Sequence, residues 1–407
     1  MKTGFVFKCL SCVALIVSCQ SFAQQHKLLP HDGKAGDNFA FSVAIDGTTA
    51  LVGSHKADAK NKEDSGAAYV YGLSAAGWQQ QAKLVATPAY AHDTLGGNVA
   101  LKNDMAMLGV IKRDDKGEDA GAVFAFEREA NAWSQKQILT ANDGKAGDAF
   151  GQSIALTERF LVIGAPHSDA PYKDSGSAYV YIRDKKAWRF HSKLTAKDGA
   201  EDDLFGISVA IDGNTILVGA DLHDEIAKEA GAVYAYVFDG KKWQHQAKLM
   251  AKDGAQTDIF GVRVSLVGDT ALISARRDDI AGVGVDAGSA YIFERAQGRW
   301  AQVQKLVAPD GKADDRFARG VALNKDTAVI SAMHHDAKGN NAGALYVFKK
   351  RQGLWRYSSK IVAHDGAPED RFGWNIALTD HAAIVAVPYR DERGAQSGAA
   401  YVVELPD

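Results

Sequence analysis

Short runs of apolar and β-branched residues alternate with polar turns along the whole chain after its first two dozen positions. In the clearest stretch, residues 205–211 and 215–219 flank an Asp212-Gly213-Asn214 turn, and residues 231–237 and 243–249 follow. β-Branched runs that are joined through Asp-Gly are typical of hairpins, and no helical period is visible in the chain. The pattern therefore predicts four short antiparallel strands in this stretch, which we call strands A to D.

This four-strand stretch occurs seven times. The start of strand A is marked in each copy by one large apolar residue, and successive copies are separated by 56, 55, 55, 55, 57 and 55 residues: Phe39, Leu95, Phe150, Phe205, Phe260, Phe317 and Phe372. Apolar residues on both strand faces suit a blade that packs between two neighbouring blades, whereas an open β-solenoid normally has shorter rungs. The sequence therefore predicts an all-β fold, a seven-bladed β-propeller with four antiparallel strands per blade, formed by residues 24–407 as a single domain.

The two ends of the chain complement each other. The seventh copy stops at Asp407 without its fourth strand, while residues 24–29 match the Gln-x-Lys-Leu sequence that ends other copies, as in residues 246–249. We therefore expect the N-terminal strand to complete the last blade from outside and to close the ring. This arrangement would also remove an exposed sheet edge.

Residues 1–23 lie outside the repeats and have the features of a signal peptide. Two lysines precede an apolar run at residues 9–17 that is too short to span a bilayer as a helix, and small residues precede Gln24. Cleavage after Ala23 predicts an exported protein, periplasmic or extracellular. The alternative is a lipoprotein that is anchored at Cys19, because residues 16–19 resemble a lipoprotein cleavage box.

The amino-acid composition narrows the classes of partner that this protein could bind. The sequence carries 47 basic and 50 acidic residues, whereas nucleic-acid-binding domains normally have a strong basic excess, so no nucleic acid partner is expected. No transmembrane segment is expected either. All three cysteines precede Gln24, so we expect a mature chain without disulfides, and we expect it to be a monomer.

Four Phe-Gly pairs carry a family resemblance. The pairs at 150–151, 205–206, 260–261 and 372–373, together with Gly164-Ala165-Pro166, resemble FG-GAP repeats, the units of the integrin alpha-chain propeller and of many secreted bacterial proteins. The resemblance covers residues 27–405. It implies a propeller for adhesion or protein binding, although function follows from fold only by analogy.

The resemblance also raises the question of whether this protein binds calcium. The family commonly binds calcium through an aspartate-rich loop between strands A and B, but none of the seven corresponding loops here has enough spaced carboxylates. We therefore expect no cofactor and no metal site. Calcium is possible, but the family's calcium-binding loops, which would support it, are absent.

Two series of aspartates recur in every copy. One lies two positions before the marker residue (Asp37, Asp93, Asp148, Asp203, Asp258, Asp315 and Asp370), and the other lies in the loop between strands B and C (Asp58, Asp114, Asp169, Asp224, Asp279, Asp336 and Asp391). They form either a metal-binding crown or a set of acceptors for backbone N–H groups within each turn. A group present in every blade most economically serves the blade, which favours the second interpretation.

Function is expected where the copies differ. Two positions after the marker the residues vary, and four of them are binding candidates: Phe41, Gln152, Arg319 and Trp374. The loops between strands B and C add nine more candidates: His55, Arg113, His167, His223, Arg277, His334, His335, Tyr389 and Arg390. Together they predict a polar and aromatic collar around one mouth of the central channel, unless these loops are only a solvated rim.

Catalytic signatures are missing from the sequence. It has no nucleophile elbow, no paired-histidine zinc motif and no phosphate loop, so we expect no catalytic residues. The sequence predicts a non-catalytic propeller that binds a protein or another cell-surface macromolecule. A glycan-binding, lectin-like propeller is the alternative, and an enzyme with a site at the channel mouth is less favoured.

Overall fold

The computed structural model describes residues 23–406, which form strands and turns without a helix. Within this range no helix has the length and apolar character needed to cross a membrane. Residues 1–22 of the predicted leader lie outside the described residues. The strands are β1 (Gln25–Leu28), β2 (Phe39–Asp46), β3 (Thr49–Ser54), β4 (Ala67–Ser74), β5 (Gly77–Leu84), β6 (Asn98–Lys102), β7 (Met105–Val110), β8 (Ala122–Glu129), β9 (Ala132–Leu139), β10 (Ser153–Leu156), β11 (Phe160–Ala165), β12 (Ser177–Asp184), β13 (Ala187–Leu194), β14 (Ser208–Asp212), β15 (Thr215–Ala220), β16 (Ala232–Phe238), β17 (Trp243–Leu249), β18 (Val264–Val267), β19 (Thr270–Ala275), β20 (Ser289–Ala296), β21 (Arg299–Leu306), β22 (Phe317–Leu323), β23 (Thr327–Ala332), β24 (Ala344–Arg351), β25 (Leu354–Ile361), β26 (Ile376–Leu378), β27 (Ala382–Val387) and β28 (Ala399–Glu404).

These strands form seven four-stranded antiparallel sheets. Six sheets contain four consecutive strands, from β2-β3-β4-β5 to β22-β23-β24-β25, and the seventh has the order β1-β28-β27-β26. The first strands of successive blades contact each other around a closed circle, from β2 and β6 to β26 and β2. The predicted seven-bladed propeller is confirmed, and its channel is surrounded by the seven A strands.

The hydrophobic core lies between the blades. One cluster, for example, joins Phe160 and Val162 of the third blade to Ile216, Val218 and Trp243 of the fourth. The ring of Trp243 lies 5.1 Å from that of Phe160 in an edge-to-face arrangement. Burying each such side chain contributes about 1.5 to 3 kcal/mol, so neighbouring blades stabilise each other along their whole faces.

The marker phenylalanine joins each blade to the preceding one. The ring of Phe205 packs edge-to-face on Tyr234 of its own blade, at 5.4 Å, while its backbone N–H donates to the Ser175 carbonyl of the preceding blade, at 3.1 Å. Gly176 lies directly against this backbone, and a Cβ there would be 2.1 Å from the Phe205 carbonyl oxygen. Only glycine fits at this position, where φ is +84° as well.

Both repeated aspartate series accept backbone N–H groups. Asp148 accepts the Lys145 N–H at 2.9 Å, and Asp169 accepts the Asp174 N–H at 3.2 Å. The same bonds occur in all seven blades for each series. This is the arrangement that the turn-stabilising interpretation predicts.

Six blades share a Tyr–Asp–Lys contact at their outer edge. In the third blade Asp143 accepts from the Tyr179 hydroxyl at 2.8 Å and from the Lys193 ammonium at 2.6 Å. The other five are Asp32 with Tyr69 and Lys83, Asp198 with Tyr234 and Lys248, Asp253 with Tyr291 and Lys305, Asp310 with Tyr346 and Lys360, and Asp365 with Tyr401 and Lys27.

The second blade loses all three partners of this contact together. Pro88, Phe124 and Ile138 occupy the three positions, and the Arg113 guanidinium lies 5.5 Å from the Phe124 ring. Arg113 is paired with Asp93 at 3.0 Å. The cation that stabilises this edge therefore comes from a loop in the second blade and from the outer strand in the others.

The N-terminal strand closes the ring as predicted. Strand β1 pairs with β28 in an antiparallel register that sets Lys27 opposite Tyr401, and Leu28 is buried. Lys27 contacts Asp365 at 2.5 Å and also contacts Glu392, so it supplies the lysine that the seventh blade would otherwise lack.

We predict that deletion of residues 24–29 lowers the free energy of unfolding by several kcal/mol, because about four ladder bonds contribute roughly 0.5 to 1.5 kcal/mol each and the Leu28 contacts are lost as well. Lys27→Met should cause a smaller loss, while Lys241→Ala, in an exposed turn, should cause none. Thermal and urea unfolding measure this. A deletion variant that melts like the intact protein would show that β1 does not hold the ring.

Candidate functional site at the channel mouth

The loops between strands B and C and those between strands D and A lie on one face of the ring. Backbone hydrogen bonds join the two sets of loops, for example from Gly36 to Ala395, from His92 to Glu63 and from Gly147 to Glu118. The A strands begin on this same face. The variable residues near the start of these strands therefore surround one mouth of the channel.

An aromatic cluster forms one side of this mouth. The Phe41 ring lies 4.1 Å from that of His55 and 5.6 Å from that of Trp374, and the Trp374 ring packs edge-to-face on Tyr389 at 5.2 Å. The Arg319 guanidinium stacks over Trp374 at 4.2 Å. The structure thus brings together five residues that the sequence selected from three different blades.

A cavity of about 430 Å³ opens beside this cluster. Among the predicted residues, Phe41, His55, Gln152 and Arg319 line it. Its charged lining residues are Lys56, Lys112, Arg263 and Arg319 on the cationic side and Asp64 on the anionic side. The cavity therefore has a clear cationic excess, although the whole protein is slightly acidic.

Three arginines, Arg263, Arg276 and Arg319, stand close enough to affect one another's charge. Burial, followed by the charges of Arg277 and Arg263, lowers the pKa of Arg276 to about 10. Burial and the charges of Arg263 and Arg276 also lower the pKa of Arg319. Within residues 23–406 none of the three makes an ion pair. We call them the arginine cluster.

Asp221 is the carboxylate whose negative charge acts on the arginine cluster. It is only 6% exposed, and burial raises its pKa to about 6 against the opposing effect of Arg276 and Arg263. Its Oδ1 has no hydrogen-bond partner in the described chain. This single carboxylate makes no ion pair with the cluster within the described residues, so the charge of the arginine cluster stays largely uncompensated.

His55 is neutral in this environment. Burial, followed by the charges of Lys56 and Lys112, lowers its pKa to about 4. Its Nδ1 has no hydrogen-bond partner among residues 23–406. It therefore contributes an aromatic surface and a polar nitrogen to the mouth.

Four predicted residues are held against carboxylates inside the blades instead. Arg113, His223 and Arg390 contact the aspartates that precede the marker residues, Asp93 at 3.0 Å, Asp203 at 2.9 Å and Asp370 at 2.5 Å respectively. His335 is directed towards Asp310, at 3.5 Å. These four side chains do not line the cavity.

Three more predicted residues lie in the loops without joining the aromatic cluster. His167 contacts Asp174 at 3.1 Å, and the ring of His334 contacts the Asp314 carbonyl oxygen at 3.1 Å. Arg277 is partly buried beside the arginine cluster, and its Nε has no partner in the described chain.

Arg263 and Asp221 were missed by the sequence interpretation. Arg263 lies three positions after its marker residue, where the other blades have serine, asparagine or glycine. In three blades that serine bonds to a glycine carbonyl of the next blade, as Ser208 does to Gly261 at 2.6 Å. A long cation in a position otherwise held by small polar residues was the signal that could have identified it.

Asp198, His223 and Glu225 form the one convergent group of possible metal ligands found in the described residues. The Lys248 ammonium contacts both carboxylates, and it lies 3.4 Å from His223 Nε2. The protein therefore places its own cation among these oxygens.

The geometry defines a class of protein: a closed seven-bladed propeller with an asymmetric, cationic and aromatic channel mouth. Comparison with protein families matches the FG-GAP repeat at residues 22–71, 78–126, 133–181, 188–238, 243–293, 300–348 and 355–403. The chain belongs to the FG-GAP repeat family. Comparison with curated proteins finds no match.

The matched repeat is offset from the structural blade. Each matched stretch begins at a D strand and ends within a C strand, as residues 78–126 do from β5 to β8. A blade instead contains strands A to D. In the seventh blade the position of strand D is taken by β1.

We predict opposite pH responses for two aspartates that accept backbone N–H groups. Burial raises the pKa of Asp258 to about 6, so its contribution to stability is present at low pH and is lost as pH rises through that value. Asp258→Asn should therefore gain stability relative to the wild type between about pH 4 and pH 7.

Asp239 is the matched control of opposite sign. Hydrogen bonds from Gln244 and from two backbone amides lower its pKa to about 2, so its contribution is present above the unfolded-state value and is lost at low pH. Asp239→Asn should lose stability relative to the wild type as pH rises from about 2 to about 4, and this deficit should then stay constant up to pH 7. Urea unfolding from pH 2 to pH 7 measures both variants, and a difference from the wild type that does not change with pH in the stated interval would contradict the assignment.

Proposed function

We propose that this protein is an exported, non-catalytic and monomeric interaction module that binds a protein partner through the collar at the channel mouth. The observation that carries the proposal is the convergence of Phe41, Trp374, Tyr389 and Arg319 beside a cavity. Tryptophan, tyrosine and arginine are the residue types that most often dominate the free energy of protein binding.

The repeated features have structural partners, which leaves recognition to the positions that vary. The marker residues and their glycines join blades, both aspartate series hold turns, and the Tyr–Asp–Lys contacts stabilise outer edges. The stacked face of Arg319 and the ring of Trp374 serve no such repeated contact. Variable side chains on a rigid scaffold are the usual location of binding sites.

Glycan binding is the second candidate, and the aromatic cluster is the observation that favours it. A lectin propeller would place a similar pocket in several blades, however, whereas this cluster occurs once in the part of the chain that the structure describes and draws on the first, sixth and seventh blades. The asymmetry supports a single protein-binding patch. An enzyme is supported less, because His55 has a low pKa and its Nδ1 has no hydrogen-bond partner within residues 23–406.

We predict that Trp374→Ala with Arg319→Ala abolishes capture of a protein from the exported proteome of the source cells by the immobilised propeller. The matched control is Arg356→Ala with Tyr357→Ala, an exposed pair on the outer strand β25, which should capture normally. A glycan array run with the same proteins separates the two candidates. Normal capture by the Trp374 and Arg319 variant would remove the collar from the proposal.

Calcium independence is part of the same proposal. Two carboxylates of the loops between strands A and B are already engaged: Asp46 contacts Lys102 at 3.0 Å and Asn103 N at 2.6 Å, and Asp212 accepts the Gly268 N–H at 2.6 Å. Capture should therefore be equal in calcium and in chelator. If calorimetry shows that the protein binds calcium, and capture is stronger in calcium than in chelator, calcium independence is wrong.

We predict that the purified exported protein begins at Gln24 and carries no lipid. The small residues before Gln24 support this cleavage, and β1 begins at the next residue. Intact-mass measurement tests it. A mass that fits a diacylated chain starting at Cys19 would instead establish the lipoprotein alternative.

A further inference from the structure

We propose that the cavity at the channel mouth is an oxyanion-binding site in which Arg263 and Arg319 bind a carboxylate, phosphate or sulfate group of the ligand. The inference rests on the proposed function and deepens it, because it names the chemistry that the collar recognises. The source that fits a protein partner best is the carboxylate of an acidic side chain.

The arrangement of Arg319 leaves its hydrogen-bond donors free. Its guanidinium face stacks on Trp374 at 4.2 Å, and no residue within 23–406 accepts a hydrogen bond from it. Stacking on an aromatic ring holds the plane of a guanidinium while its N–H groups stay at the edge. Those N–H groups form the planar fork that matches an oxyanion.

Arg263 provides the second set of donors. It lines the same cavity, and its guanidinium makes one hydrogen bond to the described chain, from Nη1 to the neighbouring Val262 carbonyl oxygen, at 2.8 Å. Its remaining N–H groups have no protein acceptor among residues 23–406. Two arginines from adjacent blades therefore offer unused donors to one space.

The charge around this space is unbalanced. Lys56 and Lys112 add to the arginines along the cavity wall, and the charge of Arg276 interacts with those of both Arg263 and Arg319. The one carboxylate in the lining, Asp64, has His92 at 3.8 Å. Confined like charges repel one another, and an oxyanion between them would relieve that repulsion.

These arginines differ from the structural cations of the same fold. Arg113 and Arg390 each contact carboxylates at 3.0 Å or less, as do the lysines of the outer edges. Arg263 and Arg319 have no such partner within the described residues. The ring thus pairs Arg113 and Arg390 with carboxylates but leaves Arg263 and Arg319 available to a ligand of opposite charge.

The size and lining of the cavity fit a small acidic group on a larger ligand. Its volume of about 430 Å³ lies within the usual range for ligand pockets. Phe41 lines the same cavity as the two arginines. The methylene groups of a glutamate or a similar side chain would therefore have an apolar surface to contact.

Isothermal titration at constant ionic strength, with glutarate, inorganic phosphate and sulfate as separate probes, tests the proposal and distinguishes the possible sources. We expect binding of at least one probe, with glutarate the tightest if the source is a side-chain carboxylate. Arg263→Gln with Arg319→Gln should weaken that binding by at least about tenfold, since two charge-assisted contacts are lost. Arg299→Gln, on the exposed strand β21, should bind like the wild type.

Asp221→Asn provides a test in the opposite direction. It removes the carboxylate that competes for the arginines while keeping the shape of the side chain, so it should tighten binding of the same probe. Unchanged or weaker binding by this variant would overturn the role given to the arginine cluster, even if the double arginine variant failed to fold.

Stability without any oxyanion separates a binding role from a structural one. The double arginine variant should melt at or above the temperature of the wild type in oxyanion-free buffer, because like-charge repulsion is removed. A clearly lower melting temperature, or wild-type protein that binds none of the probes, would overturn the proposal.

The two proposals fail in different ways. If the wild type captures a partner through Trp374 and Arg319 but binds no probe, the oxyanion site is wrong and the interaction module stands. If it binds a probe but captures no partner, the oxyanion site stands and the protein-binding function is wrong.

Discussion

The structure depends on the close approach of two backbones at the junction between successive blades. At each junction the N–H of a marker residue donates to a carbonyl of the preceding blade, and the glycine after that carbonyl lies against the marker backbone. Since a Cβ on Gly176 would lie 2.1 Å from the Phe205 carbonyl oxygen, no other residue permits the contact. Seven equal junctions then fix the angle between blades and close the ring.

This junction also explains the residues around it. The residue before each marker has a positive φ without being glycine, as Leu204 does at +57° and Arg371 at +55°. Such conformations cost about 1 to 3 kcal/mol unless their surroundings hold them. The aspartate one position earlier accepts a backbone N–H in the same turn, so the most regular acidic residues of the sequence stabilise the strained entry to each A strand.

Sequence alone predicted the fold because every blade repeats this junction. The marker residues gave the number of blades, and the Gln-x-Lys-Leu match located β1, since strand pairing and the Lys27 contact need those residue types. The site was predicted less completely. Position in a loop selected Arg113 and Arg390 together with Tyr389, but sequence does not show which loop side chains turn towards a buried aspartate and which face the channel. Arg263 was not predicted as a site residue, because its role depends on neighbours in other blades.

The closed ring also explains how charged and aromatic side chains from different blades come together. Equivalent positions of different blades are about 55 residues apart in sequence, but around the channel they become neighbours. Substitutions at equivalent or adjacent positions thus assembled Arg263, Arg319, Trp374 and Phe41 without altering any junction. Because neighbouring blades hold the scaffold along their whole faces, the mouth can tolerate the repulsion within the arginine cluster. The same repulsion favours a negatively charged ligand at the mouth.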